Sequence, residues 1–268
     1  MIDTNDSEFL SRIEDKGLLS KVCDAKTAAK MFNPGDIIGI SGFTPCGYPK
    51  ITMHELAERM KETPFQVDIW AGASTGSQID TELVAVNGVR NRMPYQTNAN
   101  LRKAINAGKV NYYDLHLSHV AQQVRAGFFT NVKGEHVTGP DFAVVEVCKI
   151  GPNGELYPTT AIGNSPVYVD TAKKVIVEVN TTQPLDLVGM ADIYMRKNPP
   201  FCEPIPILHA GDRVGTPYIP CDPSKIVAIV PCDMPDVTRT LAPLDDDAEI
   251  MAEDKKQRKT YTDTTRFI

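Results

Sequence analysis

The sequence DIIGISGFTPCGYP, residues 36–49, decides the fold. Its first six residues form a short apolar run typical of a buried strand, and its glycines and prolines indicate a loop. Apolar residues then recur at i, i+3, i+4 and i+7 over residues 53–60, which predicts a helix. The run from Gln66 to Ala71 predicts the next strand. Strand, loop, helix and strand in this order define a βαβ unit, whose two strands pair in parallel.

The same alternation continues along the chain. Further helices are expected over residues 25–32, 101–107, 118–126 and 164–172, the first of them capped by Asp24. Further strands are expected over residues 110–113, 142–148, 174–180 and 225–230. The turn at 151–155 predicts an antiparallel hairpin partner over 156–159. The predicted fold class is therefore α/β, with a mostly parallel sheet flanked by helices.

Composition and charge exclude several classes of protein. The 268 residues are 42% hydrophobic and 23% charged, with a net charge of −6, which suits one large domain or two small ones. The mildly acidic balance gives no broad cationic surface for nucleic acid. No apolar run is long enough to cross a membrane, and the acidic start is not that of a targeting peptide. Six cysteines without Cys-x-x-Cys spacing indicate a reducing compartment, so we expect a soluble cytoplasmic protein.

Two stretches depart from the alternating pattern. Residues 184–223 hold eight prolines and few periodic positions, which predicts a long irregular excursion. The last 26 residues carry seven acidic and five basic side chains, which is typical of a polar linker or docking arm. We therefore predict an α/β domain over 1–242, followed by a polar segment over 243–268.

The loop Gly42–Pro49 is the first candidate site. It follows a strand and precedes a helix, and ligands of open α/β sheets lie at the carboxyl ends of strands, where helix N-termini offer N–H groups to anions. The loop matches neither the P-loop nor the Gly-x-Gly-x-x-Gly pattern, so a nucleotide site is not indicated. Residues 72–76 end the neighbouring strand and belong to the same rim. Both stretches are open to two interpretations: a pocket for a carboxylate or phosphate, or structural turns.

Histidines and glutamates supply weaker candidates. His116 and His119 are three residues apart and could bind a metal, but capping or core roles are favoured because no third ligand has a recognisable spacing. Glu146 and Glu178 interrupt apolar strands, and we expect them at outward-facing or edge positions. No Gly-x-Ser-x-Gly elbow or Cys–His arrangement is present. The residues alone predict a sheet edge that can bind an anion, without a recognisable nucleophile.

Several ordered motifs resemble one enzyme family. They are Ser41–Pro49, Gly72–Ser74, Arg90–Gln96, Leu101–Gly108, Asp114–Ser118, Ile176–Asn180 and Asp212–Thr216. Together they resemble the first half of class I coenzyme A transferases of the acetyl-CoA hydrolase/transferase family, which includes succinyl-CoA:acetate, butyryl-CoA:acetate and 4-hydroxybutyrate CoA-transferases. The resemblance covers residues 21–235. It implies the two-domain CoA-transferase fold, with this chain as its NagB/RpiA-like N-terminal domain.

The resemblance also implies a ping-pong reaction. A glutamate attacks an acyl-CoA thioester, and CoA thiolate then attacks the acyl-glutamyl anhydride to give a glutamyl-CoA thioester. In this family the glutamate, the glycine-rich CoA loop and the oxyanion donors lie in the second half. We therefore assign no catalytic residue and no metal ligand to this chain, and Glu146 and Glu178 do not match the nucleophile's motif. The resemblance implies no bound cofactor, with the CoA thioester as substrate.

The site residues that the resemblance implies form one wall of the cleft. For the acyl, carboxylate or CoA pocket they are Gly42, Phe43, Thr44, Pro45, Cys46, Gly47, Gly72, Ala73, Ser74 and Arg213. For Arg213 an electrostatic role near the cleft and a structural ion pair are equally expected.

The same resemblance implies the partners of the chain. They are an acyl-CoA, a small carboxylate, the C-terminal half as a separate chain or one lost by truncation, and further copies in a homo-oligomer, without nucleic acid or membrane. This chain alone is expected to be inactive. The alternatives are an acetyl-CoA hydrolase of the same family and a non-catalytic module that binds a carboxylate or phosphate.

Overall fold

The computed structural model describes residues 3–237. The strands are β1 (Ile37–Ile40), β2 (Val67–Trp70), β3 (Val89–Met93), β4 (Asn111–Tyr112), β5 (Phe129–Thr130), β6 (His136–Val137), β7 (Phe142–Ile150), β8 (Leu156–Pro158), β9 (Lys174–Asn180) and β10 (Ile226–Cys232). The α-helices are α1 (Ser7–Ser11), α2 (Ala25–Ala29), α3 (Ile51–Glu62), α4 (Ala99–Asn106), α5 (Leu117–Arg125) and α6 (Ser165–Thr171). Short 3-10 turns cover Lys16–Lys21, Leu185–Leu187 and Pro223–Lys225, and Gln78–Leu83 is π-helical.

An eight-stranded sheet organises the chain. Seven strands follow the order β10-β9-β7-β1-β2-β3-β4, and every pairing along this path is parallel. The eighth strand, β8, pairs with β7 in the antiparallel sense, as the turn at 151–155 predicts. The prediction of an α/β fold with a mostly parallel sheet is therefore confirmed.

Helices cover both faces of this sheet. Ile38 and Ile40 of β1 pack into one apolar cluster with helices α2 and α3, whereas Ile37 joins a second cluster with α5 and α6. Successive strand residues point to opposite faces, so β1 is buried on both sides. This arrangement explains the apolar runs in the sequence, because a parallel strand that is covered on both faces has no solvent-facing side.

Most of the predicted elements are found, with boundaries shifted by a few residues. Asp24 caps α2 by accepting a hydrogen bond from the Thr27 amide at 2.6 Å, but this helix ends at Ala29. The 184–223 excursion is irregular apart from the 3-10 turn Leu185–Leu187, isolated bridges such as that between Ile193 and Thr216, and the 3-10 turn that begins at Pro223. None of the helices within residues 3–237 is long and apolar enough to span a bilayer. The predicted domain boundary at 242/243 lies outside the described residues.

Candidate functional site

The candidate site is the edge of the sheet where the parallel strands end. The loop after β1 bends into a tight turn, in which the Phe43 amide donates to the Cys46 carbonyl at 3.0 Å and the Cys46 amide returns a bond to Phe43 at 3.2 Å. Thr44 forms the top of this turn with φ +55°, an uncommon conformation for a residue with a side chain. Phe43 is 64% exposed, although it is aromatic. The turn therefore presents Phe43 and Thr44 to the surroundings.

The base of the same loop is closely packed. Gly47 has φ +59°, and a Cβ atom there would lie 2.6 Å from the Ala161 amide nitrogen. Tyr48 is buried, and its hydroxyl donates to Gln78 Oε1 at 2.8 Å. A Cβ atom on Gly76 would lie 1.9 Å from the Tyr48 ring. Gly47 and Gly76 are therefore required for close packing, whereas Phe43 and Thr44 at the tip of the turn are exposed.

The second predicted loop, Gly72–Gly76, lies against the first. A Cβ on Gly72 would lie 2.5 Å from the Ser41 hydroxyl, which accepts a hydrogen bond from the Asn164 amide at 2.8 Å. The Ser74 hydroxyl is 2.8 Å from that of Thr97. Gly72, Ala73 and Ser74 are all buried, so they form the floor behind the exposed turn.

A buried ion pair braces this floor. Arg92 Nε donates to Asp80 Oδ1 at 2.9 Å, and its Nη1 donates to the Met93 carbonyl at 2.7 Å. The same carboxylate accepts from the Thr75 amide at 3.3 Å. Asp80 comes from the π-helical turn and Arg92 from β3. The pair therefore ties three segments together beneath the rim.

The two strand glutamates lie inside the protein, so the expectation of outward or edge positions was wrong. Glu146 and Glu178 are direct neighbours on β7 and β9, with exposed fractions of 3% and 0%. Glu178 accepts hydrogen bonds from the amides of Lys50 at 2.7 Å, Ile51 at 3.3 Å and Thr52 at 2.6 Å. It therefore caps α3 with a carboxylate. The free helix N-terminus that the loop suggested is occupied by the protein's own anion.

Lys50 balances the other glutamate. The Lys50 side chain is 1% exposed, and its ammonium nitrogen lies 2.5 Å from Glu146 Oε2 and 2.9 Å from Asp236 Oδ1. Burial lowers the pKa of Lys50, but the charges and hydrogen bonds of Glu146 and Asp236 outweigh it and hold that pKa above its ordinary value. Burial raises the pKa of Glu146 from 4.5 to about 7, against the opposing effects of Lys50, Asn180 and Thr159. Lys50 therefore stays charged, while Glu146 titrates near neutral pH.

Glu146, Glu178 and Cys232 bring together the types of donor atom that bind metal ions. Ligand atoms of Glu146, Glu178 and Cys232 lie within 4.8 Å of one another. Glu146 already accepts from Lys50, Thr159 and Asn180, and Glu178 is held by three backbone amides. Burial also raises the pKa of the Cys232 thiol. A cation would have to displace Lys50, so this donor set serves the fold.

The predicted histidine pair lies outside the rim loops. The rings of His116 and His119 are 5.2 Å apart, and His116 Nδ1 lies 2.8 Å from the Ser118 hydroxyl at the start of α5. Within residues 3–237, the one cluster of three or more ligand-type side chains is the buried cluster around Glu146, and neither histidine belongs to it. His116 stands at the N-cap position of α5, but its side chain caps no helix amide, and both histidines are exposed, so the expected core role is wrong.

Arg213 lies in the 184–223 excursion and is exposed. Its guanidinium donates to the carbonyls of Gly189, at 2.8 Å, and Ala191. Both partners belong to the excursion, so these bonds do not connect Arg213 to the Gly42–Pro49 loop. Its role in the pocket stays a prediction.

Sequence reasoning from the residues missed Lys50 and Asp236. The signal for Lys50 was a lysine placed directly before an apolar helix that has no side-chain cap of its own. Asp236 accepts a hydrogen bond from the amide of Gly47, which lies 189 residues away in the sequence, so no local pattern connects the two.

The comparisons with known proteins identify the class to which this α/β domain belongs. The family model for the acetyl-CoA hydrolase/transferase N-terminal domain matches residues 10–231, so the chain belongs to this family, as its motifs predicted. The chain is 45% identical over 232 residues to a succinyl-CoA:acetate CoA-transferase of Clostridium kluyveri, covering 86% of this chain and 42% of that protein. It is 36% identical over 249 residues to an acetyl-CoA hydrolase of Yarrowia lipolytica, covering 90% and 47%.

A solved structure supports the fold. RipA from Yersinia pestis superimposes with a TM-score of 0.55 at 15% identity, over 90% of this chain and 47% of that protein. At this identity the likeness concerns the fold alone. The chain spans less than half the length of each of these relatives.

Proposed function

We propose that this chain is the N-terminal half of a CoA-transferase that moves CoA between a short-chain acyl-CoA and a carboxylate such as acetate. The observation that carries the proposal is the 45% identity to a succinyl-CoA:acetate CoA-transferase over 86% of the chain. The exposed turn at Phe43 and Thr44, standing where the parallel strands end, supports it as one wall of a cleft.

The proposed chemistry is covalent and uses a carboxylate nucleophile. A glutamate attacks the thioester carbonyl, CoA thiolate leaves, and an acyl-glutamyl anhydride forms. The thiolate then attacks the glutamyl carbonyl, releasing the first carboxylate and leaving a glutamyl-CoA thioester. The acceptor carboxylate repeats these steps in reverse, so the thioester's energy passes to the product and no further cofactor is required.

The nucleophile is proposed to lie outside this chain. Glu178 is held by three amides, and Glu146 by Lys50 and two side-chain donors. A buried carboxylate with all its partners in place cannot approach a substrate without breaking this network. This occupancy supports a glutamate supplied by a second half of the enzyme.

This chain is proposed to shape the acyl pocket. The turn from Gly42 to Gly47 provides the exposed wall, and Gly72, Ala73 and Ser74 provide the floor behind it. Arg213 is proposed to contribute positive charge near the cleft. Substrate choice then depends on how a second half closes this wall.

The test uses the native-length protein that contains this domain, characterised by sizing and intact mass. It is incubated with succinyl-CoA and isotopically labelled acetate, and labelled acetyl-CoA is measured. We expect transfer, association of both halves in a homo-oligomer, and a covalent CoA adduct on a peptide outside residues 1–268. An adduct on a peptide of this chain would contradict the assignment of the nucleophile.

The second candidate is an acetyl-CoA hydrolase, which the 36% identity to the Yarrowia lipolytica enzyme favours. In this case water intercepts the enzyme-bound acyl group. Acetyl-CoA supplied with and without succinate as the acceptor carboxylate separates the two functions. Release of free CoA at an equal rate with and without succinate, and no formation of succinyl-CoA, would establish the hydrolase and refute the transferase.

A further inference from the structure

The carboxylate of Asp236 collects donors from three separate segments. The Gly47 amide donates to Oδ1 at 3.1 Å, and Lys50 Nζ lies 2.9 Å from the same oxygen. The Thr160 hydroxyl donates to Oδ2 at 2.5 Å, and Gln183 Nε2 donates to it at 3.1 Å. The Asp236 side chain is only 8% exposed. One carboxylate after β10 therefore links the loops that follow β1, β8 and β9.

These bonds fix the base of the exposed turn. Gly47 follows directly on Cys46, the last residue of the turn, and both its positive φ and the 2.6 Å from an added Cβ to the Ala161 nitrogen restrict this position to glycine. At the other end, a Cβ on Gly42 would lie 2.6 Å from the Cys46 carbonyl. The direction in which Phe43 and Thr44 point is consequently set at Gly47. Hydrogen bonds to a charged acceptor are the stronger class, so Asp236 is the strongest tie at this point.

We propose that Asp236 is a positioning residue that holds the Phe43–Thr44 tip in the orientation that the pocket requires, and that Thr160 acts through it. The consequence for catalysis rests on the proposed function, whereas the consequence for the loop rests on the geometry alone. Thr160 is the sharper probe, because it is exposed and its hydroxyl donates to Asp236. Its replacement leaves the core intact.

The first experiment compares Thr160→Val with Thr160→Ser in the native-length protein. Valine keeps the shape and removes the donor, and serine restores the donor. We expect Thr160→Val to speed amide hydrogen exchange in the peptide spanning residues 42–49 about tenfold, the size associated with one hydrogen bond to a charged group. The KM for acetate should rise several-fold with little change in kcat, and Thr160→Ser should behave as the wild type.

The second experiment is a double-mutant cycle with Asp236→Asn. Because Thr160 is proposed to act only through Asp236, Thr160→Val should add nothing to loop exchange or to the KM in the Asp236→Asn background. Asp222→Asn is the matched control: Asp222 caps the turn before β10 by accepting from the Ser224 amide at 2.9 Å, a bond within its own turn. This control should leave exchange in residues 42–49 unchanged.

The outcomes separate this proposal from the proposed function. Unchanged loop exchange in Thr160→Val, additive effects in the cycle, or an equal effect of Asp222→Asn would overturn the positioning role. Increased exchange in a protein without transferase or hydrolase activity would refute the proposed function and leave the positioning role standing. If Asp236→Asn does not fold, the Thr160→Val and Thr160→Ser pair decides by itself.

Discussion

Replacing Lys50 by methionine should destabilise the protein strongly. The change removes a buried cation that lies within 2.9 Å of two carboxylates, Glu146 and Asp236, while methionine fills most of the volume. Removing one member of a buried ion pair leaves the other charge uncompensated, at a cost of about 3–5 kcal/mol. We therefore expect Lys50→Met to lower the free energy of unfolding by about that amount at pH 8.

The cost should depend on pH because of Glu146. Its pKa is raised by burial from 4.5 to about 7 in the folded protein. A raised folded pKa gives a contribution to stability that is fully present below pH 4.5 and lost as the pH rises through 7. Without Lys50 the pKa of Glu146 rises further, since the charge and the hydrogen bond of Lys50 lower it. Glu146 is neutral at pH 5 with or without Lys50, so the cost should be smaller there than at pH 8, by up to about 1.4 kcal/mol, the value of the one pH unit that separates pH 8 from the pKa of about 7.

Urea unfolding followed by circular dichroism at pH 5 and pH 8 measures both quantities. The matched variant is Lys50→Met with Glu146→Gln, in which both partners are neutral. It should recover part of the stability at pH 8 and show a flatter pH dependence than Lys50→Met alone. A cost below about 1 kcal/mol at pH 8, an equal cost at both pH values, or no recovery in the double variant would refute this account of the buried cluster.

Three further changes test the packing and the pocket. Glu178→Gln removes the carboxylate that caps α3 and should lower the free energy of unfolding by about 2–3 kcal/mol, measured by thermal denaturation; a loss under about 0.5 kcal/mol would contradict the cap. Gly76→Ala places a Cβ 1.9 Å from the Tyr48 ring and should cost about 3 kcal/mol or more, whereas Gly211→Ala, with nothing within 4 Å, should change stability by less than about 0.5 kcal/mol. Phe43→Ser should leave stability unchanged because the ring is exposed, yet lower kcat/KM for CoA transfer about tenfold; unaltered kinetics would remove Phe43 from the proposed wall.

Much of the fold follows from local patterns. The strands β1, β2, β7, β9 and β10 are predicted because burial on both faces gives them largely apolar sequences. The strand β3 is not, since its sequence Val-Arg-Asn-Arg-Met looks polar. Arg90 pairs with Asp68 of β2, and Arg92 pairs with Asp80 of the π-helical turn. A strand whose polar residues find partners elsewhere carries no periodic signal of its own.

In the candidate site, too, local sequence patterns predict one part and miss another. That Gly42–Pro49 and Gly72–Gly76 meet is predictable, because parallel neighbouring strands end at one edge of the sheet. That Glu146 is buried is not, because its partner Lys50 lies 96 residues away in sequence. A single charge in an apolar strand indicates an exposed position unless its counter-charge is known. Sequence reasoning placed the loops correctly and failed where an interaction needed two distant residues.

The distribution of charge explains what this wall can contribute. The start of α3 offers amides to an anion, but Glu178 occupies them. The cation of Lys50 is neutralised by Glu146 and Asp236. The fold therefore uses its strongest electrostatic groups internally, and the tip that it presents is an aromatic ring and a hydroxyl. Such a surface can shape the proposed acyl pocket, and in the proposed reaction the donors and the nucleophile for thioester exchange would come from outside this chain.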